Sequence, residues 1–359
     1  MIEPRDQPSP ALRRRGLCAA LTFTLVMAPT AARAMDPIEG LRSLGLGSSL
    51  RGFAYGAEGL LLNPSGFAMV RQYAITALYT LRVQSLGHGI HVSVADSVTQ
   101  QRIAMGLYYN FIHESPQTGF VVSETGKPDG RLIRVEGGQL VRQGHEAGVV
   151  TAFPLGDRFS LGVTTKYTYY SLTAPLASNQ VPADFAPTNP AIDKDRTYDM
   201  GSIGNALSFD VGVTARLWSG LYLGVVGQNL WPHGAEVPSM FATGLAYLPS
   251  NRLLLAADVS LNFTGFRECL DPKPPPSLLF CQDLGNRTVI KAGGGIEYLL
   301  ANRIPLRAGY LFDSNLGAHH VTGGIGYFDP RFGLDFGFRQ RVSGGMETTL
   351  VMGFRLLRD

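Results

Sequence analysis

The protein has 359 residues, of which only 16% are charged and 45% are hydrophobic, and 43 are glycine. A chain of this length forms one large or two ordinary domains, and so little charge with so much glycine is unusual for a cytosolic enzyme. The formal net charge of +3 comes from residues 1–34, which contain five arginines and two acidic residues (5 − 2 = +3). Residues 35–359 are therefore formally neutral, and their charge gives no indication of a nucleic-acid partner.

Residues 1–34 have the three parts of a secretory signal peptide. A basic stretch at Arg13–Arg15 precedes a short apolar run at Gly16–Ala28, and Ala32-Arg33-Ala34 follows as a small-x-small cleavage site. A membrane anchor is the alternative, although this run is shorter than the roughly 20 apolar residues that a spanning helix needs. We therefore predict cleavage after Ala34 and export of the remaining chain, with Cys18 removed together with the signal.

The next segment, residues 35–70, ends in a tight turn. Asn63, Pro64 and Gly66 occupy the first, second and fourth positions of a four-residue turn that Ser65 completes, and this pattern favours a type I turn. Leucines occupy positions 60–62 directly before the turn, and Phe67 follows it. The sequence thus predicts a chain reversal flanked by apolar side chains, immediately before the first regular element.

From residue 72 onward, short segments alternate apolar and polar side chains. In RFSLGVTTKYTYYS, residues 158–171, Phe159 and Leu161 fall on one face and Ser160 and Gly162 on the other, which is the periodicity of a strand. Such segments begin near residues 72, 87, 101, 145, 158, 206, 220, 239, 251, 287, 303, 319, 331 and 346. The predicted fold class is therefore all-β, a transmembrane antiparallel β-barrel of about 14 strands over residues 71–359.

The links between these segments support the same prediction. Tight links occur at residues 155–157, 219–220, 249–251, 301–302 and 329–330, and long links occur at residues 114–144, 172–205 and 264–286. Short and long links therefore alternate along the chain, as they do when one set faces the periplasm and the other faces the exterior. An even number of strands then places both ends of the barrel domain on the periplasmic side.

Charged residues on the polar faces of the strands are candidates for lining the lumen. A charge on the lipid side costs about 2–4 kcal/mol near the bilayer midplane, so these side chains should point inward. The candidates are Lys166, Asp210, Arg216, Asp258, Arg307, Asp335 and Arg339, together with Lys291 and Glu297. Two interpretations stay open: a solvated or salt-bridged interior, and direct contact of individual charges with a transported molecule.

Two cysteines remain after removal of the signal. Cys269 and Cys281 flank the proline-rich stretch LDPKPPPSLLF, and in an exported protein such a pair is a candidate disulfide. Two free thiols are the alternative, and a metal site is disfavoured because no histidine lies nearby.

No pattern in the sequence points to catalysis or to a cofactor. There is no Gly-x-Ser-x-Gly elbow and no phosphate-binding loop. His319 and His320 are adjacent in a strand, so they point to opposite faces and are poor joint ligands, while Asp193, Asp195 and Asp199 lack the glycine and terminal glutamate of a calcium loop. We predict no metal, no cofactor and no enzymatic activity.

Three stretches resemble the FadL-like outer-membrane transport superfamily and its PorV-like relatives. They are GLLLNPSGFAMVRQYAITALY (59–79), LGVVGQNLWPHGAEVPSMFATGLAY (223–247) and IPLRAGYLFDSNLGAHHVTGGIGY (304–327). An Asn-Pro-Ala-Gly-Leu-like turn precedes the first strand in that family, and the corresponding turn here is Asn63-Pro64-Ser65-Gly66-Phe67. The resemblance implies that residues 35–70 form a short N-terminal luminal hatch hinged at this turn, and that hydrophobic compounds pass through the barrel.

The chain departs from the long-chain fatty-acid importers of that family. It is shorter, and it has no obvious pair of basic loops for a carboxylate, which moves the prediction toward the PorV-like branch. Two functions stay open: passive transport of hydrophobic, lipid-like or fatty-acid-like molecules, and engagement of secreted or surface proteins within a secretion or assembly system. A purely structural barrel is a third alternative.

The predicted surroundings follow from the same resemblance. It implies a monomer in the outer membrane of a Gram-negative bacterium, in contact with outer-membrane lipid. The expected partner is a hydrophobic small-molecule ligand or, under the alternative, a secreted protein, and no nucleic acid.

Overall fold

The computed structural model describes residues 38–83, 86–99, 102–114, 120–123, 132–135, 141–175, 197–231, 239–263, 288–314, 317–343 and 347–358. The predicted signal peptide, residues 1–34, lies outside the described residues. The candidate disulfide between Cys269 and Cys281 lies outside them as well, as do Asp193 and Asp195, whereas Asp199 lies within a described strand.

Fourteen antiparallel strands form a closed barrel, which confirms the predicted fold class and strand number. Each strand pairs with its neighbours in the chain, and the first barrel strand also pairs with the last, from Tyr73 opposite Arg358 to Arg82 opposite Thr349. The barrel strands are β1 (Tyr73–Arg82), β2 (Gly87–Asp96), β3 (Ala104–Glu114), β6 (Val141–Leu155), β7 (Phe159–Pro175), β8 (Thr197–Trp218), β9 (Leu221–Gln228), β10 (Met240–Ser250), β11 (Leu253–Asn262), β12 (Val289–Leu300), β13 (Ile304–Asp313), β14 (Ala318–Phe328), β15 (Phe332–Arg341) and β16 (Thr348–Arg358). Two short strands, β4 (Phe120–Ser123) and β5 (Leu132–Val135), form a separate hairpin within the link between β3 and β6.

The strands β6 to β8 extend further than the alternating pattern predicts. The pattern places the starts of β6 and β8 near residues 145 and 206, whereas these strands begin at Val141 and Thr197. The additional part of β8 reads TYDMGSIGN, in which apolar and polar residues do not alternate regularly. It pairs with the end of β7 through register shifts near Ser171. Backbone pairing thus continues where the side-chain periodicity has already ended.

The links divide between the two ends of the barrel. One end, called here the short-turn end, has tight links at residues 156–158, 219–220, 251–252, 301–303 and 329–331. The opposite, long-link end has links at residues 115–140, 176–196 and 263–288, but also the short links 83–86 and 314–317. The predicted segregation of the long links to one end is confirmed, while strict alternation is wrong because short links occur at both ends.

The two faces of the wall differ in polarity. On β7, Phe159 and Tyr167 on the outer face are 52% and 49% exposed, while Ser160 and Thr164 on the inner face are fully buried. Large apolar side chains recur on the outer face around the barrel, for example Leu107, Leu207 and Leu334. An apolar exterior and a polar interior are the arrangement that a barrel adopts in a bilayer.

Among the described residues, no helix is both long enough and apolar enough to cross a membrane.

Residues 38–69, called here the luminal segment, lie inside the barrel toward its short-turn end. The segment contains the short helices α1 (Leu41–Gly45) and α2 (Ala57–Leu61) and two 3-10 helices at Arg51–Phe53 and Pro64–Ala68. The predicted turn is the start of the second 3-10 helix, where Gly66 N donates to Asn63 O (3.1 Å). The segment supplies much of the buried core, including Leu44, Leu46, Leu50, Leu60 and Phe67.

Candidate functional site

The turn at residues 63–66 is fixed to the barrel wall by its own side chains. Asn63 Nδ2 donates to the backbone oxygen of Arg51 (2.9 Å) and to Thr214 Oγ1 of β8 (3.2 Å). Asn63 Oδ1 accepts from the amide and the hydroxyl of Ser65 (3.2 and 2.7 Å), and the hydroxyls of Ser65 and Thr214 are 2.7 Å apart. Because Asn63 is completely buried, these bonds are shielded from water, and the side chain joins two parts of the luminal segment to β8.

Glycines on adjacent strands let the luminal segment lie directly on the sheet. A Cβ atom added at Gly212 of β8 would lie 2.1 Å from Asn63 Oδ1, and one added at Gly162 of β7 would lie 2.2 Å from the carbonyl carbon of Pro64. Gly224 of β9 approaches the backbone of the segment equally closely. Glycine within a strand often marks such a close approach of another backbone, and here it forms a flat docking surface.

Phe67 anchors the C-terminal end of the luminal segment in an apolar cluster. It is fully buried and packs in one cluster with Leu60 and with Tyr108 of the wall. Gly66, directly before it, lies so near the backbone that an added Cβ would be 1.9 Å from Ala54 O. Burial of a side chain of this size contributes about 1.5–3 kcal/mol, so Phe67 holds the segment where β1 begins.

A four-residue charge network connects helix α1 to the wall. Arg42 Nη2 lies 2.6 Å from Glu297 Oε1, and Arg307 Nε lies 2.7 Å from Glu297 Oε2. Arg307 Nη1 in turn lies 2.7 Å from Asp335 Oδ1. The network therefore runs from the luminal segment across β12 and β13 to β15.

Two further ion pairs join the luminal segment to the wall. Asp258 of β11 accepts from Arg51 Nη1 (3.1 Å) and also from the backbone amides of Arg51 (2.9 Å) and Leu50 (3.0 Å). Arg339 of β15 donates to Glu39 at 2.6 Å. Asp258 and Arg339 of the wall thus each meet an opposite charge on the segment, as buried charges require.

Glu58 of helix α2 satisfies the backbone of helix α1. Its Oε1 accepts from the amides of Arg42 (2.8 Å) and Ser43 (3.4 Å). Burial of Glu58 inside the barrel raises the pKa of its carboxyl group, since removal from water disfavours the charged form. The acid therefore holds the two helices of the luminal segment together from within.

The sequence-predicted lumen residues occupy two kinds of position. Six of the seven have buried, ion-paired side chains inside the barrel: Lys166, Asp210, Asp258, Arg307, Asp335 and Arg339. Lys166 Nζ lies 2.8 Å from Asp210 Oδ2, and Asp210 Oδ1 accepts from the amide of Asn229 (2.7 Å). Arg216 differs: it is exposed near the end of β8, because the register shifts between Arg216 and Trp218 and the two-faced alternation ends there.

Between the luminal segment and the long-link end, the interior of the barrel contains a cavity of about 130 Å³. Its apolar lining includes Leu61, Leu62, Ile112, Met240 and Leu311. Its polar lining includes Lys166, Asp210, Glu146, Asn110 and Gln228. The residues come from the luminal segment and from β3, β6 to β13, so the cavity lies to one side of the barrel axis.

Residues of the luminal segment and of β6 were missed by the sequence reasoning. Arg42, Arg51 and Glu58 were not singled out, although isolated charges in an apolar segment inside a barrel must find partners there. Glu146 lines the cavity, and its place on the same face as Gly144 and Gly148 follows from the alternation of β6. Both signals were present in the sequence.

Replacement of Asn63 and Pro64 together by alanine is expected to loosen the luminal segment. A buried hydrogen bond contributes about 0.5–1.5 kcal/mol, so loss of the Asn63 bonds should raise the population of displaced segments roughly tenfold. Sensitivity of cells to a large antibiotic measures this population. The matched control is Asn251→Ala in an exposed turn, and equal sensitivity of both variants would contradict the expectation.

Searches with protein-family models and against curated proteins return no match. Among solved structures, the fold is similar to a structure described as the CymD monoaromatic hydrocarbon channel, with a TM-score of 0.60 and 14% identity over 89% of this chain and 97% of that chain. A Pseudomonas aeruginosa FadL homologue gives a TM-score of 0.57 and 13% identity over 92% and 100% of the two chains. The Pseudomonas putida toluene transporter TodX gives a TM-score of 0.54 and 14% identity over 91% of this chain and 99% of that chain. The barrel fold is thus shared with these solved structures, while membership of the FadL-like superfamily and of its PorV-like branch stays a prediction.

Proposed function

We propose that the protein is an outer-membrane channel for hydrophobic small molecules, with the cavity inside the barrel as their binding site. The observation that carries the proposal is this cavity, which lies inside a closed barrel whose outer face is apolar. The similar structures are described as a hydrocarbon channel, a toluene transporter and a FadL homologue, and none of the three as an enzyme. These descriptions support a role in transport of small molecules through the barrel rather than in catalysis.

The size of the cavity matches a small ligand. An apolar cavity of about 150 Å³ engineered into another protein stays dry and binds benzene. The cavity here measures about 130 Å³ and has apolar side chains of both the luminal segment and the wall on its surface. A single aromatic ring, or an aliphatic molecule of similar bulk, is therefore the class of ligand that fits.

The luminal segment would control passage. It occupies the interior between the cavity and the short-turn end, held by Asn63 and by the ion pairs of Arg42 and Arg51. A molecule that enters from the long-link end would reach the cavity first and would pass the segment only if the segment moves. Under this proposal residues 35–70 are the hatch, residues 1–34 are the removed signal, and the short-turn end faces the periplasm.

A tryptophan placed in the cavity should weaken the binding of a small hydrophobic ligand. Met240 lines the cavity at the start of β10, and overpacking such a site typically costs about 1–3 kcal/mol, so Met240→Trp should weaken binding of toluene about tenfold. Titration calorimetry on the purified barrel in detergent micelles measures the affinity. The matched control is Met352→Trp on the outer face of β16, where the methionine is exposed. Equal affinities of the two variants, or no toluene binding by the parent protein, would overturn the proposal.

The alternative function, engagement of a secreted or surface protein, has weaker support. It rests on the long links around residues 115–140, 176–196 and 264–287, most of which lie outside the described residues. Nothing in the part of the chain that the structure describes favours it over transport. Monomeric state and contact with outer-membrane lipid belong to the transport proposal.

A further inference from the structure

We infer that the cavity selects small hydrophobic molecules with a hydrogen-bond donor, such as alcohols, phenols or amines, and rejects carboxylates of the same size. This inference rests on the proposed function and concerns the same cavity. It follows from the charges that line the cavity and from the partners that those charges already have.

The basic side chains in the lining are already neutralised by acids of the barrel. Lys166 Nζ lies 2.8 Å from Asp210 Oδ2, and Arg51 Nη1 lies 3.1 Å from Asp258 Oδ2. The third base, Lys291, lies 3.0 Å from an oxygen of Asp313. A carboxylate that enters the cavity would have to displace one of these acids, and separating a buried ion pair is strongly unfavourable.

Glu146 adds a negative charge that Lys166 offsets only from beyond ion-pair distance, because the ion pair of Lys166 is with Asp210. It points inward from β6, lines the cavity, and accepts hydrogen bonds from Asn110 Nδ2 at 3.0 Å and from the Tyr108 hydroxyl. Among the side chains that the structure describes, no lysine or arginine lies within ion-pair distance of its carboxylate. Glu146 is therefore suited to accept a hydrogen bond from a ligand and to repel a ligand carboxylate.

The overall charge of the lining points in the same direction. Three bases and four acids line the cavity, which gives 3 − 4 = −1. Electrostatic interactions inside a barrel are screened less than in water, so one excess negative charge has a large effect on a charged ligand. A donor group on a neutral ring satisfies Glu146 without this repulsion, while the ring packs against the apolar lining.

The test compares toluene, benzyl alcohol and benzoate as probes at pH 7, with the purified barrel in detergent micelles and affinities from titration calorimetry. Benzyl alcohol is expected to bind at least about tenfold more tightly than benzoate. Glu146→Gln should reduce this ratio severalfold, because it removes the negative charge that repels benzoate. The matched control is Glu347→Gln in the link between β15 and β16, outside the cavity, which should preserve the ratio.

The three probes separate the inference from the proposed function. If toluene binds and benzoate binds as tightly as benzyl alcohol, the selectivity is overturned while the transport proposal stands. If the alcohol is preferred but Glu146→Gln leaves the ratio unchanged, the role of Glu146 is overturned. If no probe binds the parent protein, the proposed function fails first and the inference fails with it.

Discussion

Replacing Arg307 with methionine is expected to destabilise the barrel by about 3–5 kcal/mol, the cost of removing one partner from a buried ion pair. The side chain of Arg307 is only 1% exposed, and it bridges Glu297 and Asp335 at 2.7 Å each. Glu297 keeps Arg42 as a partner, but Asp335 would lose its only ion-pair partner among the described residues. Equilibrium unfolding in guanidinium chloride, followed by tryptophan fluorescence in micelles, measures the loss.

The chain offers a matched control and a rescue for this change. Arg216→Met removes an arginine that is exposed at the end of β8, and exposed substitutions usually change stability by less than about 0.5 kcal/mol. The double variant with Arg307→Met and Asp335→Asn should recover part of the loss, because it removes the unpaired carboxylate together with its partner. Equal stability of the Arg307 and Arg216 variants would show that the network adds nothing to the fold.

The barrel could be predicted from the sequence because its signal repeats. Phe159 and Ser160 of β7 fall on opposite faces, and the same alternation recurs on strand after strand, so the strand number and most strand starts were recovered. The same alternation predicts that Lys166 and Arg307 point inward, because each lies on the polar face of its strand. Where the alternation stops, as before residue 206 of β8, the sequence reasoning placed a strand boundary incorrectly.

The path of the luminal segment could not be predicted, because it has no repeating pattern. Its helices α1 and α2 have five residues each, too few for a helical periodicity to stand out. Its position depends on individual pairings with distant strands, such as Arg42 with Glu297, and those pairings exist only in the folded barrel. The cavity is the space that the luminal segment leaves free inside the barrel, so its size and lining could not be predicted from the sequence either.

The wall and the luminal segment are complementary in two respects. Inward charges of the wall meet opposite charges on the segment, and inward glycines of the wall leave room for its backbone. The charges fix where the segment lies, and the glycines fix how closely it approaches. If the segment is a hatch, a side chain added at one of these glycines should open it while the barrel remains intact.

Replacing Gly293 of β12 with valine is expected to displace the luminal segment and open the barrel. A Cβ atom at this position would lie 1.8 Å from Gly47 O, and the amide of Gly47 is fixed by Thr322 Oγ1 at 3.0 Å, so the chain there cannot shift without losing a bond. Overpacking of this kind typically costs about 1–3 kcal/mol, which corresponds to a rise of roughly 5–150-fold in the open population. Conductance in planar bilayers and sensitivity of cells to a large antibiotic should both increase.

The neighbouring Gly294 provides the control, because it differs from Gly293 only in the face on which its side chain would lie. A Cβ atom at Gly294 would meet only wall atoms of β11 on the outer face, the nearest of them Ala256 O at 3.2 Å. Gly294→Val should therefore leave conductance and antibiotic sensitivity near the parent values. An increase in both variants would mean that valine disturbs β12 itself, and an increase in neither would mean that the luminal segment does not close the barrel.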